Sequence, residues 1–106
     1  MGSNSISLET TSRSALLLQA RKGDRESLAR LVLPYAPGLY LGALRMTRNA
    51  ADAEDVRQEA FLKAMSRLAQ FSGIGTQDQE QDDLRAWVSR IATNASIDLI
   101  RKRRDG

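Results

Sequence analysis

Residues 82–104 read DDLRAWVSRIATNASIDLIRKRR, and the spacing of their apolar side chains decides the fold class. At about 100° per residue, these side chains fall within an arc of about 140°, which is the pattern of an amphipathic helix. Acidic residues at the start of the stretch are typical of a helix N-terminus. We therefore predict a helix from Asp82 or Asp83 to about Arg104, with these core residues: Leu84, Trp87, Val88, Ile91, Ala92, Ala95 and Leu99.

Helical spacing also predicts two helices in the first half of the chain. The first covers about Ser14 to Lys22 and is ended by Gly23, and Asp24 caps the second. Two prolines interrupt the apolar pattern that follows, so we expect a kink or a split near Pro34 to Gly38. The second helix is expected to bury Leu28, Leu31, Val32 and Tyr35.

The next helix has the clearest start in the chain. Asn49-Ala-Ala-Asp52 places a capping amide and acidic side chains where a helix N-terminus favours them. After this helix, the segment from Ser72 to Asp83 is polar, with Ile74 as its only apolar residue, and it predicts a mobile acidic loop. The core stripe of the helix is predicted to be Val56, Ala60, Phe61, Ala64, Met65 and Leu68, closed by Phe71.

These patterns together define the fold class. No stretch alternates with a period of two residues for long enough to form a strand, so the predicted fold is all-α, a small bundle of four to five helices. A chain of 106 residues fits one hydrophobic core. We divide it into a flexible N-terminal leader, residues 1–13, and one helical domain, residues 14–106.

The composition excludes several kinds of chemistry. The chain has no Cys and no His, which removes thiolate nucleophiles, disulfides, the usual zinc sites and Ser-His or Cys-His catalysis. Most enzyme chemistry therefore lacks its usual side chains, and our expectation for the chain is no enzyme, no metal and no cofactor. The longest uncharged run, residues 31–44, is shorter than the roughly 18 residues that a membrane span needs, and the N-terminus lacks the pattern of a secretory signal. A cytoplasmic protein without membrane insertion is the expectation.

Basic residues gather at the end of the last predicted helix. Arg90, Asn94 and Arg101 fall within about 40° of one another, away from the core arc. Arginine can form two hydrogen bonds to a phosphate or a guanine edge, and an Asn amide can both donate to and accept from one base. With Lys102 and Arg104, these residues form the predicted nucleic-acid surface, whose binding should depend strongly on salt. A solvated helix end whose cations complement the helix dipole is the plainer alternative.

Acidic residues lie on one side of the predicted helix that starts near Asn49. Asp52, Asp55 and Glu59 are spaced at i, i+3 and i+7 beside Gln58, which predicts an exposed acidic surface. Capping explains the residues of the first turn, whereas Gln58 and Glu59 lie beyond it and favour a partner-binding face. A Mg²⁺ site is the alternative, although a phosphoryl-transfer site normally draws its ligands from more than one element.

Two longer motifs carry a family resemblance. The first is Asp52-Ala-Glu-Asp-Val-Arg-Gln-Glu-Ala-Phe-Leu-Lys-Ala-Met65, and the second is Trp87-Val-Ser-Arg-Ile-Ala-Thr-Asn-Ala-Ser-Ile-Asp98, followed by the basic run. In this order they resemble region 2 of the extracytoplasmic-function (ECF) sigma factors of bacterial RNA polymerase. The resemblance spans about Leu16 to Arg104.

This resemblance implies a function and its partners. Region 2 docks on the clamp helices of the β′ subunit of core RNA polymerase, and it recognises and helps melt the promoter minus-ten element by capturing an unpaired base of the non-template strand. An anti-sigma factor commonly covers such domains. Ile97 and Ile100 lie outside the core arc and form a small apolar patch beside the basic side, which is typical of a partner surface.

The resemblance also assigns roles to residues. Asn94 matches a position near the minus-ten reader, and Arg90, Arg101 and Arg104 fall where contacts to the DNA backbone are expected. The positions of the polymerase-binding helix are Asp55, Gln58 and Glu59.

Three features depart from the family pattern. Arg57 stands where the family usually has an aliphatic residue, and the segment after Phe71 is longer and more acidic than the usual loop. The family also has a C-terminal region 4 domain for the minus-thirty-five element, and we expect this domain to be absent after Arg104.

Two other functions stay open from the residues alone. A stand-alone helical DNA-binding regulator of the helix-turn-helix type would bind duplex DNA tightly without polymerase. A small Mg²⁺-dependent phosphohydrolase would use the carboxylates of Asp52, Asp55 and Glu59.

Overall fold

The computed structural model describes residues 12–71 and 77–105, and the side chains of residues 12–71 and 83–104. The predicted all-α architecture is confirmed for these ranges, which contain five α-helices and two 3₁₀ turns. The predicted leader mostly lies outside the described residues, and Ser12 already caps the first helix. The helices are α1 (Arg13–Arg21), α2 (Arg25–Val32), α3 (Ala36–Thr47), α4 (Ala50–Arg67) and α5 (Gln77–Asp105).

A tight turn joins α1 and α2, and it confirms the predicted end of the first helix. Gly23 has φ 104°, a backbone conformation that side chains other than glycine rarely adopt. Asp24 stands at the N-cap of α2, as predicted. Its carboxylate, however, accepts a hydrogen bond of 2.6 Å from the Ser27 hydroxyl, and the helix N-terminus has no side-chain cap bond.

The predicted break at the prolines is confirmed as well. A 3₁₀ turn over Leu33–Tyr35 separates α2 from α3. Pro34 has no N–H to donate to a helical hydrogen bond, so an α-helix cannot run through it without loss. Pro37 lies in the first turn of α3, where the N–H groups have no helical partner in any case.

Helix α4 begins where the sequence predicts. The Asn49 side chain accepts a hydrogen bond of 3.0 Å from the Asp52 N–H, which satisfies one donor of the first turn. Phe61 and Met65 are only half-buried, and the Phe71 ring after the helix lies 5.2 Å from the Trp87 ring of α5. The predicted stripe residues that are fully buried are Val56, Ala60, Ala64 and Leu68.

Helix α5 starts earlier than predicted. Residues 77–81, which the sequence analysis assigned to a loop, are helical, while residues 72–76 lie outside the described ranges. The physical reason is that Gln and Glu are good helix formers, and no Gly or Pro follows Gly75 within this segment. The long helix does not resemble a membrane span: no helix of the described ranges combines the length and apolarity that crossing a bilayer requires.

The core lies between α4, α5 and the three shorter helices. Helix α4 packs against α3 and α5, and α1 packs against α2. Trp87 and Leu99 are half-buried at the edges of the α5 core face, and Ser96 is buried although no prediction named it. The Ser96 hydroxyl donates to the Ala92 carbonyl at 3.0 Å, so it needs no partner outside the helix. The predicted core residues of α5 that are buried are Leu84, Val88, Ile91, Ala92 and Ala95.

Candidate functional site

The basic side chains of α5 share one exposed side of the molecule. Arg90, Asn94 and Arg101 are all exposed on a helix that runs without interruption from Gln77 to Asp105. Because the helix is continuous, their spacing keeps them within about 40° of one another. Arg104 is exposed on the adjoining side. The structure thus brings these four residues together, and we call them the basic side of α5.

Helix α4 adds two cations that the sequence analysis missed. A hollow of about 390 Å³ lies beside the basic side, between α4 and α5. Lys63 and Arg67 of α4 line it opposite Asn94 and Arg101, with Asp98 as its one carboxylate. The signal was present in the sequence, since Lys63 and Arg67 are one turn apart and both lie off the core stripe.

Lys102 is separated from the basic side. It lines a second hollow of about 430 Å³ along the seam between α4 and α5, together with Asp55 and Glu59 of α4 and Asp98 of α5. Lys102 follows Arg90 by twelve residues, which is a turn of about 120° around the helix axis, so Lys102 lies toward the seam and away from the basic side. The sequence analysis grouped Lys102 with the nucleic-acid residues, and the structure does not bring it together with them.

Asp52 is not an exposed capping residue, and this corrects the prediction. Its side chain is 8% exposed, and its Oδ1 accepts a hydrogen bond of 2.5 Å from Nη2 of Arg103. A carboxylate buried at this depth requires a charged or hydrogen-bonding partner, and Arg103 supplies it from the last turn of α5. Arg103 is therefore engaged in an ion pair with Asp52. The other three residues of the basic run 101–104 do not share this ion pair.

The predicted polymerase-binding residues lie together on α4. Asp55, Gln58 and Glu59 are all exposed. Glu59 has a cationic neighbour, because its Oε2 lies 3.6 Å from Nζ of Lys63, which also lies 3.9 Å from Oδ2 of Asp98. Exposed pairs of this kind contribute little to stability. They mark the border at which the acidic side of α4 meets the basic side of α5.

An apolar residue stands within the acidic side of α4, and the sequence analysis did not name it. Leu62 is 50% exposed and follows Asp55 by seven residues, Gln58 by four and Glu59 by three. Residues at this spacing are neighbours on one helix face. Its signal in the sequence was a leucine outside the predicted core stripe. We call Asp55, Gln58, Glu59 and Leu62 the acidic side of α4.

Arg57 does not neutralise the acidic side of α4. Its guanidinium group donates hydrogen bonds to the Glu54 carboxylate one turn earlier, and both side chains are exposed. The hydrogen bond from Arg57 lowers the pKa of Glu54 below its ordinary value, against a smaller opposing effect of desolvation. The same hydrogen bond raises the pKa of Arg57. Arg57, which departs from the family pattern, is therefore paired with Glu54 on its own helix.

The structure does not bring together the three carboxylates of the alternative Mg²⁺ site. Asp52 is directed to Arg103, away from the exposed carboxylates of Asp55 and Glu59. Among the side chains that the structure describes, those of residues 12–71 and 83–104, no three acidic, His or Cys residues form a group that could hold a metal ion.

Comparison with known proteins decides the family. The model of the family described as Sigma-70 region 2 matches residues 31–105. The chain belongs to the sigma-70 region 2 family. The predicted resemblance is thereby confirmed, and every residue of the two sides lies inside the matched range of this sigma region 2 domain.

Curated relatives name the subgroup. The domain is 36% identical over 86 residues to the ECF RNA polymerase sigma factor SigW of Bacillus subtilis, which covers 81% of this chain and 42% of that protein. It is 32% identical over 81 residues to the RNA polymerase sigma-H factor of Pseudomonas aeruginosa, covering 76% and 38%. The ECF RNA polymerase sigma factor SigE of Mycolicibacterium smegmatis is 32% identical over 73 residues, covering 69% and 25%. The chain thus spans less than half the length of these relatives. No solved structure matches it.

Proposed function

We propose that this sigma region 2 domain binds core RNA polymerase and recognises and helps melt the promoter minus-ten element to initiate transcription. The observation that carries the proposal is the meeting of two unlike surfaces at one seam. The acidic side of α4 borders the basic side of α5 at Lys63 and Asp98. A specificity subunit needs this arrangement, because it must hold a large protein and a nucleic acid next to each other.

The acidic side of α4 is proposed to bind the clamp helices of the β′ subunit. Its carboxylates steer a basic partner, and Leu62 supplies an apolar contact at its C-terminal end. Residues at i, i+3, i+4 and i+7 are the spacing by which one helix packs along another. A helical partner surface therefore fits this side better than a loop or a small molecule.

The basic side of α5 is proposed to hold the non-template strand of the minus-ten element. Asn94 reads an exposed base edge, and Arg90, Arg101 and Arg104 bind phosphates. Stacking and hydrogen bonds to unpaired bases offset the cost of unpairing, which is a few kcal/mol. If the three arginines each neutralise a phosphate of a single strand, log affinity falls with log salt with a slope of roughly −2.

No bond is made or broken in this function, so it requires no catalytic residue and no cofactor. The domain acts where its polymerase acts, which in bacteria is the cytoplasm. An anti-sigma factor is a further proposed partner: the half-buried Ile97 and Ile100 adjoin the basic side, where a covering protein would block DNA.

A binding experiment tests the polymerase contact. Core RNA polymerase and a fragment that contains the β′ clamp helices are each incubated with the tagged chain, and the retained fraction is measured. The double variant Gln58→Ala/Glu59→Ala is expected to lose most of the retention. The control Gln19→Ala/Glu26→Ala removes the same two residue types from exposed positions of α1 and α2 and should bind like the unchanged chain. Equal retention of both double variants would remove the acidic side from the proposal.

A transcription experiment tests the DNA contact. With core polymerase and a promoter library randomised in the minus-ten element, Asn94→Ala should lose sequence preference. Thr93→Ala, which changes an exposed neighbour that faces α3, should keep it. Tight binding of the chain to duplex DNA without polymerase would instead favour the stand-alone regulator.

A further inference from the structure

An ion pair with a buried carboxylate joins α4 to α5 at one end of the seam. Asp52 in the first turn of α4 and Arg103 in the last turn of α5 are 51 residues apart in the chain, and their side chains are 2.5 Å apart. Asp52 is 8% exposed and Arg103 is 62% exposed, so the carboxylate is sheltered while the guanidinium stem reaches in from the surface. The backbone N–H of Asp52 is already satisfied by Asn49.

The last turn of α5 has little else to hold it. Its final core contact is the half-buried Leu99, and the side chains from Arg101 to Arg104 are all exposed. The last carbonyl groups of a helix lack helical partners, and unpacked helix ends fray. Within the described residues, the bond from Arg103 to Asp52 is the hydrogen bond that ties this turn to another helix.

We propose that Asp52 is a positioning residue for promoter recognition. By holding Arg103, it fixes the last turn of α5, and it thereby sets the direction in which Arg101 and Arg104 meet the DNA. It also withdraws Arg103 from the cations that are available to phosphates. This inference rests on the proposed function of the basic side, and it extends that function to a residue on the helix that carries the polymerase-binding surface.

A positioning role and a purely electrostatic role of Asp52 predict different effects of its substitution on DNA binding. Asp52→Asn removes one negative charge near the DNA surface, so electrostatics alone predicts tighter binding to any DNA. A positioning role predicts that preference for the minus-ten sequence falls, while non-specific affinity stays level or rises. Glu26→Gln is the matched control, because it removes one negative charge from an exposed position on α2.

The first experiment measures the pair without DNA or polymerase. Amide hydrogen exchange of the unliganded chain is compared for the unchanged protein, Asp52→Asn, Arg103→Gln and the double variant. Loss of a charge-assisted hydrogen bond should speed exchange of the amides at 101–104 by about tenfold. If Asp52 acts through Arg103, the double variant is no faster than either single variant. Unchanged exchange in Asp52→Asn, or additive effects, would overturn the proposal.

The second experiment measures recognition. A fluorescent single-stranded oligonucleotide is selected from a randomised pool with the unchanged chain and core polymerase, and its affinity is compared with that of a scrambled sequence. Asp52→Asn and Arg103→Gln should each lower the ratio of the two affinities about three- to tenfold. Glu26→Gln should leave the ratio unchanged. A ratio unchanged in both pair variants would overturn the proposal.

The two experiments also separate this inference from the function on which it rests. If the unchanged chain shows no sequence preference with core polymerase, the proposed function fails whatever the exchange data show. If the unchanged chain discriminates and the pair variants discriminate equally well, only the positioning role fails. Arg103 is exposed, so its substitution leaves the core untouched and keeps the test valid should Asp52→Asn fold poorly.

Discussion

Leu62→Ala should weaken binding to core RNA polymerase without weakening the fold. Leu62 is 50% exposed in the free domain, so about half of its side-chain surface remains to be buried when the partner docks. Complete burial of a leucine side chain is worth about 1.5–3 kcal/mol. Half of that amount is about 0.8–1.5 kcal/mol, which corresponds to a loss of about four- to twelvefold in affinity.

A matched control makes this magnitude interpretable. Leu41 on α3 is 51% exposed, so Leu41→Ala removes the same atoms from a side chain with the same freedom in the unbound protein. The assay is a fluorescence titration of labelled domain with core polymerase, and thermal unfolding is recorded for each variant. Both variants should unfold within about 0.5 kcal/mol of the unchanged chain. Equal affinities for Leu62→Ala and Leu41→Ala, or a fold weakened only by Leu62→Ala, would refute the placement of Leu62 in the polymerase contact.

Three further outcomes are expected. Arg101→Gln should make the slope of log affinity against log salt for single-stranded minus-ten DNA shallower by about 0.7, whereas Lys102→Gln should leave it unchanged because Lys102 lines the hollow along the seam instead of the basic side; salt titrations of both variants check this. Arg57→Gln should raise the pKa of Glu54 toward its ordinary value near 4.5, measured by NMR titration. Because the folded pKa is lowered, the stabilising effect of Glu54 is present above pH 4.5 and is lost as pH falls through the folded pKa. Leu28→Ala should destabilise the domain by about 2–5 kcal/mol in urea unfolding, because Leu28 is 0% exposed; a change below 1 kcal/mol, roughly, would contradict the core assignment.

Local chemistry was sufficient to predict most of the fold. The cap at Asn49, the glycine at position 23 and the prolines after Leu33 each act on the backbone within a few residues. Apolar side chains at helical spacing then specify which face of each helix is buried. For the same reason the basic side of α5 could be predicted, since one continuous helix determines the relative directions of Arg90, Asn94 and Arg101.

Contacts between helices could not be predicted in the same way. The bond between Arg103 and Asp52 links positions that are 51 residues apart, and its existence depends on how α4 and α5 pack. The packing also decides that Lys102 faces carboxylates, and that Lys63 and Arg67 border the hollow beside Asn94. A helical wheel gives the direction of a side chain from its own axis, but it does not say which neighbour lies there.

The start of α5 shows a different limit. The polar segment after Phe71 was predicted to be a loop because it lacks an apolar stripe, yet residues 77–81 extend the helix beyond its predicted start. Helix propensity and the acidic residues of the first turns favour extension even where the sequence carries no apolar stripe. An absent stripe therefore does not exclude a helix.

Site-specific cross-linking tests the central claim most directly, namely that α4 faces polymerase while α5 faces DNA. A photoreactive benzoylphenylalanine is placed at position 58 or at position 94, and each chain is assembled with core polymerase and a promoter fragment that is unpaired at the minus-ten element. The residue at 58 should cross-link to the β′ subunit, and the residue at 94 should cross-link to the non-template strand. Cross-links from both positions to one partner, or with the partners exchanged, would contradict the account.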